Sequence, residues 1–518
     1  MPTASRLRTS NLATNWLFAP RAPIAIMGVP FDNVTSAEAT ALIEQMIASG
    51  RPHYLVTPNV DFLAQATRDI ELRRILFDAH LVVCDGTPLV WASRLLGNPL
   101  PERVAGADLV PGLIRVAAEK GYRLFFLGAT SVSVEQAIKR LRTQYPDLCI
   151  AGYYSPPFAE LLEMDHDQIK QRVLDAKPDL LFVAFGCPKQ EKWIAMHYRS
   201  LGVPLTAGVG GTIDFLGGML RRAPVWMQRT GTEWVFRLAQ EPRRLFRRYA
   251  RDLWAFGWNI LPQWWQMKAS SGFRRTPGHT PMGPRSLHTS TSSAVIGTEP
   301  APTPRPFQEV IPLPERFDLL AVRQLAPRSA KIRDSGHHWL LDMSGVKFID
   351  STGVGLLIQW KKLAQNKGFE LVLVAMTPVV ERALSLLRLE GFFLRAADLV
   401  QAKQLIAAKA CAQFVRPGLT TASEVRGVEW CGEITAANTD EVWKLTRALL
   451  ETDAGPGPWT IDLSNVTFLD SSGIGLMIRL KKWARQTESN LQFTGLGPSV
   501  SNVLRLAHLD EFLLGQSR

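Results

Sequence analysis

The sequence predicts an α/β fold in its first half, a Rossmann-like domain on a mostly parallel sheet, followed by a basic helical appendage and two small α/β domains. Three observations carry this reading. Between Ile24 and Gly210, short apolar runs alternate with amphipathic stretches, the pattern of repeated strand and helix units. From Arg221 to Arg251, nine arginines stand against two acids, Glu233 and Glu241. WLLDMSGVKFIDSTGVGLLIQWKKLA (339–364) aligns without gaps, at an offset of 120, on WTIDLSNVTFLDSSGIGLMIRLKKWA (459–484), with 14 of 26 positions identical.

The predicted strands are IAIMGV (24–29), YLVTPN (54–59), LVVCDG (81–86), RLFFLG (123–128), LCIAGYY (148–154), DLLFVAFG (179–186) and PLTAGVG (204–210). Helices lie between them. In SAEATALIEQMIASG, residues Leu42, Ile43, Met46 and Ile47 share one face, with Ser36 placed to cap the start and Gly50 the end. Ligands of such sheets bind beyond the carboxyl ends of the strands. That directs attention to Thr57, Asn59, Asp85, Gly128, residues 186–190 and residues 208–214.

Residues 1–23 read as a tail, 24–218 as the Rossmann-like domain and 219–268 as the Arg- and Trp-rich appendage. The segment 269–306 is rich in Ser, Thr, Pro and Gly and reads as a disordered linker. An offset of 120 is the length of a small domain, so the repeat predicts a duplicated domain, 307–405 and 421–518. Each copy reads as a strand, a turn and a buried strand, then DS(T/S)G opening a helix. The apolar face of that helix is Val354, Leu357 and Ile358 in one copy and Ile474, Met477 and Ile478 in the other.

Composition narrows the function. With 518 residues, 46% hydrophobic and 20% charged, the chain has the make-up of several globular domains rather than of a disordered protein. Its five cysteines, Cys84, Cys149, Cys187, Cys411 and Cys431, are too few for a disulfide framework and show no zinc spacing. No signal peptide and no run of about 18 apolar residues is found, so a cytoplasmic protein with at most peripheral membrane contact is expected. The net charge of +12 is modest and is concentrated in the appendage. Arginines interleaved with Trp254, Trp258, Trp264 and Trp265 suit a phosphate-rich membrane surface. Nucleic acid is disfavoured because no binding module accompanies the charge.

Asp85 ends an apolar strand and precedes Gly86, where a partly desolvated carboxylate suits a general base; capping of the next helix is the equal alternative. PKQE (188–191) places Pro at the first position of a helix whose positive end suits a sugar hydroxyl or phosphate, although an ordinary turn is the favoured reading of these residues alone. GVGGTID (208–214) lets backbone approach a nucleotide but lacks a full GxGxxG. Asp165-His166-Asp167 has a DxD form, yet it follows a helical stretch and reads as a solvated turn, so no metal is expected. Cys84 and Cys187 read as small buried strand-end residues. The hydroxyls of Ser351, Thr352, Ser471 and Ser472 stand at helix starts, where capping and a phosphate switch are compatible readings.

The motifs TPNVDFL (57–63), DGTPLVWASRLLG (85–97), PERVAGADLV (101–110), FGCPKQEKWIA (185–195), GVGGTIDFLGG (208–218), RRAPVW (221–226) and TEWVFRLAQEPRRLFRR (232–248) occur in order. Through them the first half resembles the WecG/TagA/CpsF family of bacterial glycosyltransferases. The resemblance implies metal-independent, inverting transfer of a sugar from a UDP donor to a polyprenyl-diphosphate-linked acceptor sugar at the inner membrane surface. No cofactor is implied. Asp85 matches the proposed catalytic base; Thr57, Asn59 and Gln190 match sugar contacts, and Arg103 a residue facing the diphosphate. Asp214 is similar to the ribose contact, and Arg222, Arg237, Arg244 and Arg247 fall in the appendage that grips phosphates and membrane.

Residues 307–405 and 421–518 resemble STAS domains, the family of anti-sigma factor antagonists. DSTG and DSSG match its phosphorylation loop, with Thr352 and Ser472 as acceptors and a kinase-like or anti-sigma protein as partner. Together the resemblances imply a glycosyltransferase of cell-surface or exopolysaccharide synthesis with a regulatory or docking tail. The implied donors are N-acetylmannosamine, its uronic acid or a hexose, and members often form homo-oligomers. The alternative is a STAS signalling scaffold on an inert transferase fold, which the joint presence of Asn59, Asp85, Arg103 and Gln190 disfavours.

Overall fold

The computed structural model describes residues 21–219, 222–230, 232–240, 242–271, 310–325, 337–410, 415–417, 426–452, 459–487, 489–497, 500–501 and 504. Outside them lie the predicted tail up to residue 20, the predicted linker from residue 272 onward, and most of residues 498–518 of the second repeat. The chain forms two compact units, one of Met1–Gly257 with Ile406–Arg518 and the other of Trp258–Leu405.

In the first unit, the run at 24–29 departs from the expectation of a strand in the large sheet. It divides into β1 (Arg21–Ile26) and β2 (Val29–Asn33), an antiparallel hairpin forming its own two-stranded sheet. The turn between them puts Met27 at φ 52° and Gly28 at φ 83°. Two successive left-handed residues are what a tight hairpin turn demands, and glycine takes one without strain. A turn flanked by apolar residues is invisible to a reading based on hydrophobic runs.

The remaining strands are β3 (His53–Val56), β4 (Leu81–Val82), β5 (Leu124–Gly128), β6 (Ile150–Tyr154), β7 (Leu180–Ala184) and β8 (Leu205–Gly208). They form one parallel sheet in the order β4-β3-β8-β7-β5-β6. Leu124, Phe126, Leu180, Phe182 and Leu205 are fully buried, as expected of central strands covered on both faces. Helix α1 (Ser36–Ala48) buries Leu42, Ile43, Met46 and Ile47 as predicted, but Thr35 rather than Ser36 is its cap. The Thr35 hydroxyl accepts from the Glu38 N–H while the Glu38 carboxylate accepts from the Thr35 N–H, a reciprocal box that Ser36 could not form. The C-cap is Ser49, one residue before Gly50.

Further helices position the site: α2 (Val60–Ala66), α3 (Ile70–Asp78), α4 (Thr87–Leu95), α5 (Gly106–Lys120), α6 (Ser131–Gln144), α7 (His166–Ala176), α8 (Lys189–Leu201) and α9 (Thr212–Gly217). The appendage is helical, with α10 (Val225–Thr230), α11 (Glu233–Gln240) and α12 (Pro242–Ser271). On α12, Trp254, Trp258, Leu261 and Trp265 recur at helical spacing and all are exposed. None of the helices is long and apolar enough to cross a membrane, among the described residues.

Both repeats are small α/β domains. The first sheet holds β9 (Val310–Pro312), β11 (Trp339–Asp342), β13 (Leu371–Val374) and β14 (Leu394–Ala396), all parallel, while β10 (Arg316–Phe317) pairs with β12 (Phe348–Ile349). The second holds β15 (Val415–Pro417), β16 (Arg426–Ile434), β17 (Trp459–Leu469) and β18 (Leu491–Thr494), with β15 antiparallel. The DS(T/S)G motifs open α13 (Ser351–Asn366) and α17 (Ser471–Gln486), with α14 (Pro378–Leu386), α15 (Leu399–Ala410) and α16 (Thr439–Thr452) between them in the chain. In each copy the glycine packs against backbone. A Cβ on Gly353 would lie 2.3 Å from the Phe317 carbonyl oxygen, and one on Gly473 would lie 2.8 Å from that of Ile434.

Candidate active site

The strand ends gather the predicted residues on one edge of the large sheet. After β3 the chain runs through Thr57 and Pro58 to Asn59, the N-cap of α2, whose Oδ1 accepts from the Asp61 and Phe62 N–H groups at 3.0 and 3.3 Å. After β4, the Asp85 N–H donates to the Pro58 carbonyl at 3.0 Å, locking the two loops side by side. The carboxylate of Asp85 does not cap the next helix. That N-cap is Gly86, with no side-chain hydrogen bond, and Asp85 Oδ2 instead accepts from the Gly106 N–H at 3.3 Å, at the start of α5. A Cβ on Gly106 would sit 3.4 Å from the Thr57 hydroxyl and one on Gly86 would sit 3.8 Å from Asn59, so these residues form one cluster. Asp85 thus lies half-buried over the positive end of a 15-residue helix.

Gln190 lies beside the ends of β7 and β8, where it braces two loops. Its Oε1 accepts from the N–H groups of Gly186 and Gly210, both at 3.2 Å, and its Nε2 donates to Glu191 at 2.7 Å. Pro188, expected at the first helical position, is the N-cap of α8 and follows a cis peptide bond. Glu191 is 2% exposed, and its Oε1 accepts from the Gln190 amide. Burial pushes its carboxyl up to about 7. A Cβ on Gly208 would lie 2.7 Å from Gln190 and 2.9 Å from Glu191, so this glycine makes room for both side chains.

Behind the cluster two arginines share two acids. Arg103 donates to Glu233 at 3.1 Å and to Asp108 at 3.4 Å; Arg222 pairs with Asp108 at 2.6 Å and approaches Glu233 at 3.5 Å. Glu233 belongs to α11 and Asp108 to α5, so the network ties the appendage to the helix whose first N–H holds Asp85. Arg222 Nη2 is buried and has no hydrogen-bond partner among the described residues. Arg222 lines a cavity of about 400 Å³ together with Ala107, Arg140, Thr212 and Phe215. With both guanidiniums paired to these acids, the Arg222 Nη2 that neither acid takes up is a donor left to meet an anionic group beside the first turn of α5. Asp214 stands in the first turn of α9.

Arg247 is exposed on α12, whereas the side chains of Arg237 and Arg244 lie outside the described ones. Asp165 caps α7, accepting from the Gln168 N–H at 2.9 Å, and the exposed Asp167 pairs with Lys170. Sequence reasoning gave no individual role to Asp108, to Glu191 at the end of PKQE, or to Glu233. Glu233 had a signal, being one of only two acids among nine arginines.

In the repeats the cap is the aspartate rather than a hydroxyl, contrary to expectation. Asp350 accepts from the Thr352 and Gly353 N–H groups, and Asp470 from that of Gly473. A carboxylate reaches these N–H groups from the preceding position, which leaves the serines for other contacts. Thr352 is fully buried, and the hydroxyl oxygens of Thr352 and Ser472 have no hydrogen-bond partner among the described residues.

Residues 24–270 match the family described as Glycosyl transferase WecG/TagA/CpsF family, and residues 305–401 and 419–515 each match the Mlab, STAS domain. Among curated proteins, the N-acetylglucosaminyldiphosphoundecaprenol N-acetyl-beta-D-mannosaminyltransferase of Staphylococcus aureus strain MW2 is 30% identical over 228 residues, covering 44% of this chain and 88% of the relative. The proteins of the same name from strains NCTC 8325 / PS 47 and MRSA252 are similar to the same extent. The motifs, the parallel sheet and these likenesses agree: the chain belongs to the WecG/TagA/CpsF family of glycosyltransferases and carries a tandem STAS tail.

Proposed function

We propose that this glycosyltransferase moves an N-acetylmannosaminyl or related residue from a UDP donor to a polyprenyl-diphosphate-linked acceptor sugar, with inversion and without a metal. The observation that carries the proposal is the half-buried Asp85 carboxylate, oriented by the Gly106 N–H beside Thr57 and Asn59. In this reading Asp85 takes the proton of the acceptor hydroxyl as that oxygen bonds to the anomeric carbon. The bond from that carbon to UDP breaks with its electron pair, leaving the charge on the diphosphate. In this reading Arg222 and Arg103, with the first turn of α5, meet that charge without a metal ion. Asp214 takes ribose hydroxyls. Gln190 contacts sugar or, as its three hydrogen bonds favour, holds the glycine loops that do.

The acceptor is presented at a membrane surface. The exposed Trp254, Trp258 and Trp265, with Arg243, Arg247 and Arg251 on the same helix, suit the interfacial zone, where indole rings and lipid phosphates meet such side chains. The names of the S. aureus relatives support a diphosphoundecaprenol-linked N-acetylglucosamine acceptor. The STAS tail serves regulation or docking, with Ser472 and Thr352 as candidate acceptors of phosphate.

A panel of UDP sugars, assayed in EDTA with a synthetic N-acetylglucosaminyl-diphosphate lipid, tests donor and metal together. Asp85→Asn should lower kcat by roughly 10² to 10⁴ with little change in KM. Unchanged turnover of that variant would remove Asp85 from the role of base.

A further inference from the structure

We propose that the DSSG loop of the second STAS domain takes as its partner the transferase domain of its own chain, binding the face of α3 that carries Glu71 and Arg74. Three contacts define the surface. The Glu71 carboxylate spans the start of α17, its Oε1 accepting from the Ser471 N–H at 2.7 Å and its Oε2 from the Ser471 hydroxyl at 2.8 Å. One turn along α3, Arg74 makes a two-pronged pair with Glu433, at 2.9 and 3.0 Å. The same guanidinium lies 3.7 Å from the ring centroid of Phe468 on β17. Two charge-assisted groups and a stacked cation, drawn from β16, β17 and α17 and converging on one short helix, make a specific match rather than a chance touch of surfaces.

The helix end explains why a carboxylate is chosen. Asp470 already caps α17, and Glu71 brings a second anion to the same N-terminus. Burial pushes the Asp470 carboxyl up to about 7, and the Glu71 charge adds to the rise. The end already holds two acidic side chains, and a further anion on Ser471 or Ser472 would crowd against them. A phosphoryl group brings about −1.5 to −2 charges, so its arrival on this loop would undock the domain.

Docking also reaches toward the site. Glu71 Oε2 lies 3.0 Å from Lys192, which also pairs with Asp69 at 2.8 Å. Lys192 follows Gln190 and Glu191 on α8. The STAS loop thus holds a carboxylate whose other partner stands on the helix that braces the glycine loops. The docking contact rests on the observed hydrogen bonds alone; its regulatory meaning rests on the transferase reading.

Hydrogen exchange of the full chain, without substrate, tests the contact. Arg74→Glu should raise exchange about tenfold or more in peptides covering 70–77 and 468–476, and adding Glu433→Arg should restore protection. Ser471→Asp should raise exchange in both peptides, and Ser471→Ala, which keeps the backbone bond, should raise it less. If Arg74→Glu leaves both peptides protected in a protein of unchanged melting temperature, or if the charge swap fails to restore them, the proposal falls. Because no turnover is measured, failure here is separate from failure of Asp85 as base.

Discussion

The two STAS copies share their motif but meet opposite chemistry. In the first, the Ser351 hydroxyl oxygen accepts from the Gln263 amide of α12 at 2.7 Å. In the second, the Ser471 hydroxyl donates to the Glu71 carboxylate at 2.8 Å. One loop is satisfied by a neutral donor and the other by an anion, although each is capped by an aspartate and followed by a glycine in close backbone contact. Burial pushes both capping acids up, Asp350 to about 6 with Asp318 adding to the rise and Asp470 to about 7 with Glu71 adding to it. Duplication preserved the socket and changed what fills it, so a charge added to the two loops should have unequal consequences.

The largest expected effect breaks the symmetry directly. Ser471→Asp places a carboxylate against Glu71 and should open the second loop, raising exchange over 468–476 by one to two orders of magnitude, as expected when a charged hydrogen bond becomes a like-charge contact. Ser351→Asp also sets a carboxylate beside the capping Asp350 but meets the neutral Gln263 amide instead of a second acid, so exchange over 348–356 should rise less than in the second loop. Equal effects in the two copies would mean that the partner side chain does not decide the response.

How much of this was legible follows from which forces leave a periodic trace. The parallel sheet was legible because strands buried on both faces read as apolar runs, and the duplication because 14 identities survive in one stretch. The β1 and β2 hairpin was not, since its turn depends on the backbone angles of Met27 and Gly28 rather than on a polar break. Asp85, Asn59 and Thr57 stood out at strand ends, but the hydrogen bond from Gly106 joins positions 21 apart, and no local pattern encodes it. Glu71 lies 400 residues from Ser471 and reads as an ordinary first-turn acid of α3. Its meaning exists only in the folded chain.

A smaller effect should appear in the pH dependence. Around the second loop stand Asp470, Glu71, Asp69, Lys192, Arg74 and Glu433. An acid whose pKa is raised in the folded state holds its proton more tightly there, so the stability it adds is complete below its ordinary range and is lost as pH rises through the raised value. Docking should therefore weaken as pH rises from about 4, the ordinary range of an aspartate, to about 7, where Asp470 has lost its proton beside Glu71, and should level off above that. The expected change in exchange, corrected for the intrinsic rate, lies within one order of magnitude. Glu71→Gln should make the profile shallower by removing the Glu71 share of the rise, while the share due to burial stays. A slope unchanged in this variant would mean that Glu71 contributes nothing to the titration.

The smallest effect concerns the first loop, where the partner is neutral. Gln263 and Ser351 are both buried, 6% exposed each, so Gln263→Ala removes a hydrogen bond and leaves the serine hydroxyl to find another partner or none. A lost buried hydrogen bond between neutral groups costs about 1 kcal/mol, and for a unit of this size that corresponds to about 2–4 °C in melting temperature. The loss should be the same at pH 5 and pH 8 apart from the titration of Asp350 at about 6, which both proteins share. A differential that grew with pH would mean that the Gln263 amide reads the Asp350 charge through Ser351. The first loop would then be electrostatically tuned like the second, and the contrast between the copies would be one of degree.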